Sequence, residues 1–270
     1  MTARWKCLAA MLAACFAPSL VAAQAAPGAE FKKLAERLAA DRLGGVDSPQ
    51  DLQEKALALL DGLVVDELQK SSSEAPPVAA ISQKLAGTLK SDSQVGAGIQ
   101  LVVLSARGRE PIVALAVNFG FGGPAAIRIY AKRDARWERT GRVDRFTHKV
   151  FFDESLVLVP FDSLSANGPP NSSVPAVLAL LAVTGRTDDF QSGAFFLWRV
   201  ARGVPELEWQ TDVLPQTSYE VSGGILRLSY CSEPDEERPR LCRQTARDAY
   251  RWDGSAWTRT EHIVSPRPQP

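Results

Sequence analysis

The sequence predicts an α+β fold: an N-terminal bundle of three amphipathic helices, then a mainly antiparallel β-domain with three repeated hairpin units. Three observations predict it. Apolar residues recur with a helical period from Phe31 to about Lys90. After Ser91-Asp92-Ser93 the period falls to two, or to short apolar runs. Along this second half an aromatic strand followed by a Trp-bearing strand returns three times.

Before the helices, residues 1–25 read as an export signal. Arg4 and Lys6 precede an uncharged run from Cys7 to Ala23, and small residues offer cleavage after Ala23 or Ala25. Leu12-Ala13-Ala14-Cys15 also has the form of a lipidation site, but the chain stays apolar after Cys15. A free product is therefore favoured over a lipid anchor at Cys15. No later segment is apolar for the roughly 18 residues of a membrane span, so no transmembrane helix is expected in the mature chain.

Residues 26–95 form the helical region. Phe31, Leu34 and Leu38 mark the first apolar stripe, and Gly44-Gly45 ends it. Ser48 and Pro49 open a second helix whose predicted face is Leu52, Ala56, Leu59, Leu60, Leu63 and Leu68. Pro76-Pro77 opens a third, with Val78, Ile81, Leu85 and Leu89 on one side.

Residues 96–264 form the β-domain. Strands are expected near 99–105, 111–118, 125–132, 135–141, 155–161, 174–184, 193–201, 206–211, 217–222, 224–231, 246–252 and 255–263. Asp253-Gly254 reads as a tight turn. Residues 265–270, rich in Pro, are expected to form a disordered tail.

The repeat aligns Tyr130 and Trp137 with Tyr250 and Trp257, each pair seven residues apart. Phe195 to Trp198 and then Trp209 supply the middle copy, with four extra residues assigned to its turn. An apolar strand precedes each hairpin: Val113 to Val117, Val177 to Val183, and Ile225 to Leu228. Such a unit suggests a propeller-like array, with a two-sheet sandwich or a barrel as the alternative. Propellers typically close with four or more blades, and the strand at 99–105 is a candidate to complete the last unit. Trp137, Trp209 and Trp257 are expected to pack between units, while Trp198 and Trp252 are less constrained.

Composition narrows the function. The chain has 31 basic and 31 acidic residues, and loss of the signal leaves 29 against 31. A mature charge near −2 gives no general attraction to nucleic acid. Of the four cysteines, Cys231 and Cys242 lie beyond the signal and are expected to form a disulfide. Closing that loop should contribute roughly 3 kcal/mol.

Catalytic constellations are sparse. The two histidines, His148 and His262, are far apart in sequence and carry no zinc spacing. Both read as surface or packed residues. There is no Gly-x-Ser-x-Gly, and turn chemistry accounts for Ser192 and Ser222. Gly120 to Pro124 joins two strands and so reads as a turn, not a phosphate cradle. No metal ligand set or cofactor motif stands out.

Asp153, Glu154, Asp162, Asp188 and Asp189 are loop acids from which a glycosidase pair could be drawn. The loop from Cys231 to Cys242 holds Glu236, Glu237, Arg238 and Arg240, a charged finger suited to a partner. The expected function is an exported, non-catalytic interaction or structural module of the bacterial envelope, periplasmic or secreted. Its partner would be an envelope protein or a polysaccharide. The alternatives are a secreted polysaccharide hydrolase using paired loop carboxylates, and a carbohydrate-binding module.

Overall fold

A computed structural model describes residues 26–43, 50–71, 76–89, 97–104, 110–119, 125–144, 154–160, 176–184, 191–222, 225–235, 238, 241–252 and 257–266. The signal segment, Cys15, Ser48-Pro49, Gly120 to Pro124, His148 and Asp253-Gly254 lie outside the described residues. Among the described residues, three helices and twelve strands follow one another in that order. The fold is α+β with antiparallel sheets.

The helices are α1 (Pro27–Leu43), α2 (Gln50–Lys70) and α3 (Val78–Leu89). Their apolar stripes meet one another and the first sheet. Phe31, Ala35 and Leu38 of α1, Ala56, Leu57, Leu60, Val64 and Leu68 of α2, and Ile81 and Leu85 of α3 are buried together. The expected stripe on α2 is rotated slightly. Leu57 and Val64 are buried, while Leu52, Leu59 and Leu63 are only partly so. The reason is that α2 is covered from two sides, by α1 and by the sheet, so its buried arc is wider than one i, i+3, i+4 stripe.

The strands are β1 (Ala97–Leu104), β2 (Ile112–Phe119), β3 (Ala125–Arg133), β4 (Arg136–Val143), β5 (Glu154–Pro160), β6 (Ala176–Thr184), β7 (Gln191–Ala201), β8 (Val204–Gln210), β9 (Ser218–Ser222), β10 (Ile225–Pro234), β11 (Cys242–Trp252) and β12 (Trp257–Pro266). They form three four-stranded sheets, β1-β2-β3-β4, β5-β6-β7-β8 and β9-β10-β11-β12, each joined in sequence order. Each sheet is open at both edges, so no barrel closes among the described strands. The expected last-unit role of 99–105 is corrected: β1 pairs with β2 and begins the first sheet. Ser265 and Pro266, assigned to the tail, pair with Thr245 and Gln244, so β12 runs two residues past its expected domain end.

The sheets pack in sequence. One face of the first sheet (Val113, Leu115, Val117, Phe119, Ala126 and Tyr130) meets the helices, where Phe31 and Phe119 lie 6.0 Å apart. Its other face meets Phe196, Trp198 and Val200 of the second sheet. Phe195 and Leu197, on the opposite side of β7, meet Leu226, Leu228 and Trp257 of the third. This alternation is the period of two expressed as layers.

All three sheets carry a one-residue register shift between their third and fourth strands. It falls between Ile129 and Tyr130, between Leu197 and Trp198, and between Ala249 and Tyr250. The extra residues are Thr140, Glu208 and Thr260. Thr140 Oγ1 and Thr260 Oγ1 each donate to the carbonyl across the bulge, from Ile129 at 3.4 Å and Ala249 at 3.2 Å. Against this frame Trp209 is not equivalent to Trp137 and Trp257. It lies one residue after its bulge, whereas they lie three before theirs. The turn of the second sheet holds only Arg202 and Gly203, as the first holds Asp134 and Ala135. All four have positive φ, as a two-residue hairpin turn of this twist requires.

Candidate functional site

The polar group that the third sheet brings together centres on Asp248. This carboxylate is 4% exposed, on the face of β11 that looks toward the second sheet. Ala246 and Tyr250 share that face by strand alternation, and Leu226, Leu228 and Tyr230 line it from β10. Hydroxyls of Tyr230 and Tyr250 donate to Asp248 Oδ2 at 3.1 and 3.2 Å. Arg259 Nη1 lies 3.7 Å from the same oxygen. His262 Nδ1 lies 2.5 Å from Oδ1 and donates to it. The carboxylate is thus met by three hydrogen-bond donors and a nearby guanidinium, which is how a buried charge is tolerated.

The bulge at Thr260 selects the histidine. Strict alternation from Trp257 would turn Arg259 and then Glu261 inward, placing a second acid beside Asp248. The extra residue shifts the register, so Glu261 opposes Ala249 and His262 opposes Asp248. Burial first, and then the Asp248 charge, pushes the Tyr250 phenol up to about 12; Tyr230 is raised for the same reasons. Both tyrosines therefore act as neutral donors. Tyr250 also packs edge-on to Trp209 at 5.0 Å, which ties the group to the second sheet.

A carboxylate holding Nδ1 of a histidine fixes its tautomer and orientation, as in acid–base dyads. Among the described residues no serine, threonine or cysteine side chain is hydrogen-bonded to His262. The arrangement latches β12 to the sheet.

A related group lies between α2 and the first sheet. Tyr130, Arg139 and Arg128 occupy the places of Tyr250, Arg259 and Asp248 relative to the bulge. Here the acid comes from the helix. Asp61 accepts from Tyr130 Oη at 2.7 Å and from Arg139 Nη1 at 3.0 Å. Arg128, 1% exposed, binds Asp144 through Nη1, and its Nε lies 3.7 Å from Asp61 without a hydrogen bond. Burial raises the Asp61 carboxyl above its usual range despite the adjacent donors and cations. In the second sheet the corresponding positions are Phe196 and Trp198, stacked at 5.2 Å.

The other residues singled out from the sequence fare differently. Cys231 and Cys242 are joined by a disulfide with Cα atoms 5.6 Å apart, beside two register shifts in β10 and β11. Within the bridged loop Arg238 is exposed, and its backbone N–H donates to Asp235 at 2.9 Å. Glu236, Glu237 and Arg240 lie outside the described residues, as do Asp153, Asp162, Asp188 and Asp189. Ser222, at the end of β9, bonds to Glu220 and Arg227, in keeping with a structural role.

Trp137, Trp198 and Trp257 are buried, and Trp209 is half-buried against Tyr250 and Trp257. Trp137 meets the helical layer instead of another sheet. These four rings pack in the core, and the side chain of Trp252 lies outside the described residues. Among the described residues no helix is long and apolar enough to cross a membrane. Compared with known proteins, the chain matches no family model and no curated protein.

Proposed function

We propose that the chain is an exported, non-catalytic interaction or structural module of the bacterial envelope, and that its three sheets are copies of one propeller-like unit. The observation that carries this reading is the unequal treatment of the two ends of the sheet series. At the first end the helices cover the sheet; at the last, the outer face and edge of the third sheet are left to solvent.

From Thr258 to Pro266 every residue of β12 is exposed, including Ile263 and Val264. Edge strands of this length are usually covered or blunted, and an exposed one is a contact element. The latch on Asp248 and the Cys231–Cys242 bridge support that element from behind, which reduces the ordering cost on binding. The disulfide also fits folding in an oxidising compartment, periplasmic or extracellular. The bulge shared by all three sheets supports descent of one unit by repetition. The bridged loop with Glu236, Glu237, Arg238 and Arg240 is the second element of the proposed contact.

The test is capture from native envelope extract by the mature, disulfide-bonded protein. A single enriched envelope protein or polysaccharide, lost when residues 235–241 are replaced by a short Gly-Ser linker, is expected. Release of reducing sugar from envelope polysaccharide by the purified protein would overturn the non-catalytic reading.

A further inference from the structure

The outer face of the third sheet has a charge pattern that overall net charge conceals. Residues paired across strands share a face, so the register gives its rows. One row runs Glu220, Arg227, Ala249, Glu261. The next runs Ser218, Ser229, Arg247, Ile263. The third runs Ser222, Ile225, Arg251, Thr258. The two central strands therefore carry Arg227, Arg247 and Arg251, all exposed, and each flanking strand carries one glutamate.

Arg247 and Arg251 have no acid directly across a strand. Their cross-strand neighbours are Ser229, Ile263, Ile225 and Thr258, and among the described residues neither makes an ion pair. Elsewhere in the sheets arginines do find acids: Arg128 with Asp144, Arg139 with Asp61, Arg199 with Glu208, Arg243 with Asp235, and Arg259 with Asp248. Arg227 donates from Nη1 to Ser222 Oγ at 2.9 Å and lies 3.9 Å from the exposed Glu220, so Arg247 and Arg251 are the two arginines of the face without an ion pair among the described residues. Four residues along a strand span about 13 Å, and adjacent strands lie about 4.8 Å apart. Three guanidinium groups thus form a zigzag along the centre of the sheet.

We propose that this stripe binds a linear inorganic polyphosphate chain running along β10 and β11. Arginine matches phosphate through paired N–H donors, and a row of such groups suits a chain with regularly spaced anions. The flanking Glu220 and Glu261 decide against a bilayer. A flat anionic surface would meet both glutamates, whereas a single chain passes between them. This deepens the interaction-module reading, and rests on it, by naming the chemistry of one partner.

The test titrates the full mature, disulfide-bonded protein with long-chain inorganic polyphosphate at several salt concentrations. Arg247→Gln/Arg251→Gln is compared with Arg136→Gln/Arg202→Gln, which removes two exposed arginines at hairpin turns. The expected result is salt-dependent binding that the first pair weakens at least about 10-fold and the second less than about 2-fold. Loss of two phosphate contacts should also reduce the slope of log K against log salt by about 1.4–1.8. Absence of binding by the parent protein, or equal weakening in both pairs, would overturn the proposal. So would binding to vesicles of phosphatidylglycerol in preference to polyphosphate. If polyphosphate fails while the parent protein still captures an envelope component through the 235–241 loop, only this inference falls. Unchanged circular dichroism in both variants separates lost binding from misfolding.

Discussion

His262 on β12 donates from Nδ1 to the buried carboxylate of Asp248 on the neighbouring strand, at 2.5 Å. This pair joins a solvent-exposed edge strand to the core of the third sheet. Removing the carboxylate also leaves two part-buried tyrosine hydroxyls without their acceptor. Asp248→Ala should therefore cost about 3–5 kcal/mol, the range for breaking a buried charged group. His262→Ala should cost about 1–2 kcal/mol, since one charge-assisted hydrogen bond is lost from a partly exposed side chain. Urea denaturation measures both, and hydrogen exchange should show β12 amides opening first.

Gln100 and Asn118 use their side-chain amides as a substitute strand for β5. Gln100 accepts from the Leu158 N–H at 2.8 Å and donates to its carbonyl at 3.0 Å. Asn118 makes the same pair with Leu156, at 2.9 and 3.5 Å. Gln100→Leu leaves both Leu158 backbone groups unsatisfied between two sheets. A loss of about 2–6 kcal/mol is expected by urea denaturation, because each of the two groups costs about 1–3.

The first hairpin turn holds Ala135 at a φ of 63°, a conformation that glycine adopts more easily. Ala135→Gly should raise stability by about 0.5–1 kcal/mol. The opposite change at Gly141 should be harmful, since a Cβ there would collide with the Gly203 carbonyl and with Pro205 of the second sheet. Gly141→Ala should cost about 1–3 kcal/mol. Thermal unfolding of the two variants should shift in opposite directions.

Asp61 gives a pH dependence of unusual sign. Burial raises its folded-state pKa above the ordinary 3.8, so the native state holds this proton more tightly than the unfolded chain does. Its contribution to stability is full below 3.8 and is lost as pH rises through the raised value. Glu67, lowered by hydrogen bonds from Lys70 and Lys84, acts in the other direction, weakly because those lysines are exposed. Asp61→Asn should remove the Asp61 decline, visible as a flatter stability profile on raising pH from 3.8 in urea titrations.

Protein beginning at Ala26 should contain no thiol that reacts under denaturing, non-reducing conditions. Reduction of Cys231–Cys242 should lower stability by roughly 3 kcal/mol. Two alkylated cysteines per unreduced chain would contradict the bonded state.

The strands and helices were legible because their signals are local. Period two marked strands such as β10, with Leu226 and Leu228, short apolar runs marked β2 and β6, and period 3.6 ran through α1 to α3. Which sheet faces which was not legible, because Phe195 and Phe196 sit on opposite faces of one strand and look equally apolar in sequence. The Asp248 group was hidden by a single residue. With Thr260 counted as an ordinary strand residue, Glu261 points inward and His262 outward, the reverse of the register that forms. Trp209 misled for the same reason: its strand carries the extra residue Glu208, while its turn is as short as that of the first sheet. The alternation of Ala246, Asp248 and Tyr250 was the one available sign of a buried acid. It gains meaning only once the other sheet covers that face.

The central claim, that the third sheet and its bridged loop form the contact element of an envelope interaction module, is tested most directly by hydrogen exchange with and without native envelope fraction. Protection is predicted on β10, β11, β12 and the loop between Cys231 and Cys242, with the helices and first sheet unchanged. Protection confined to α1–α3, or unchanged exchange in the third sheet when the protein is bound, would contradict it.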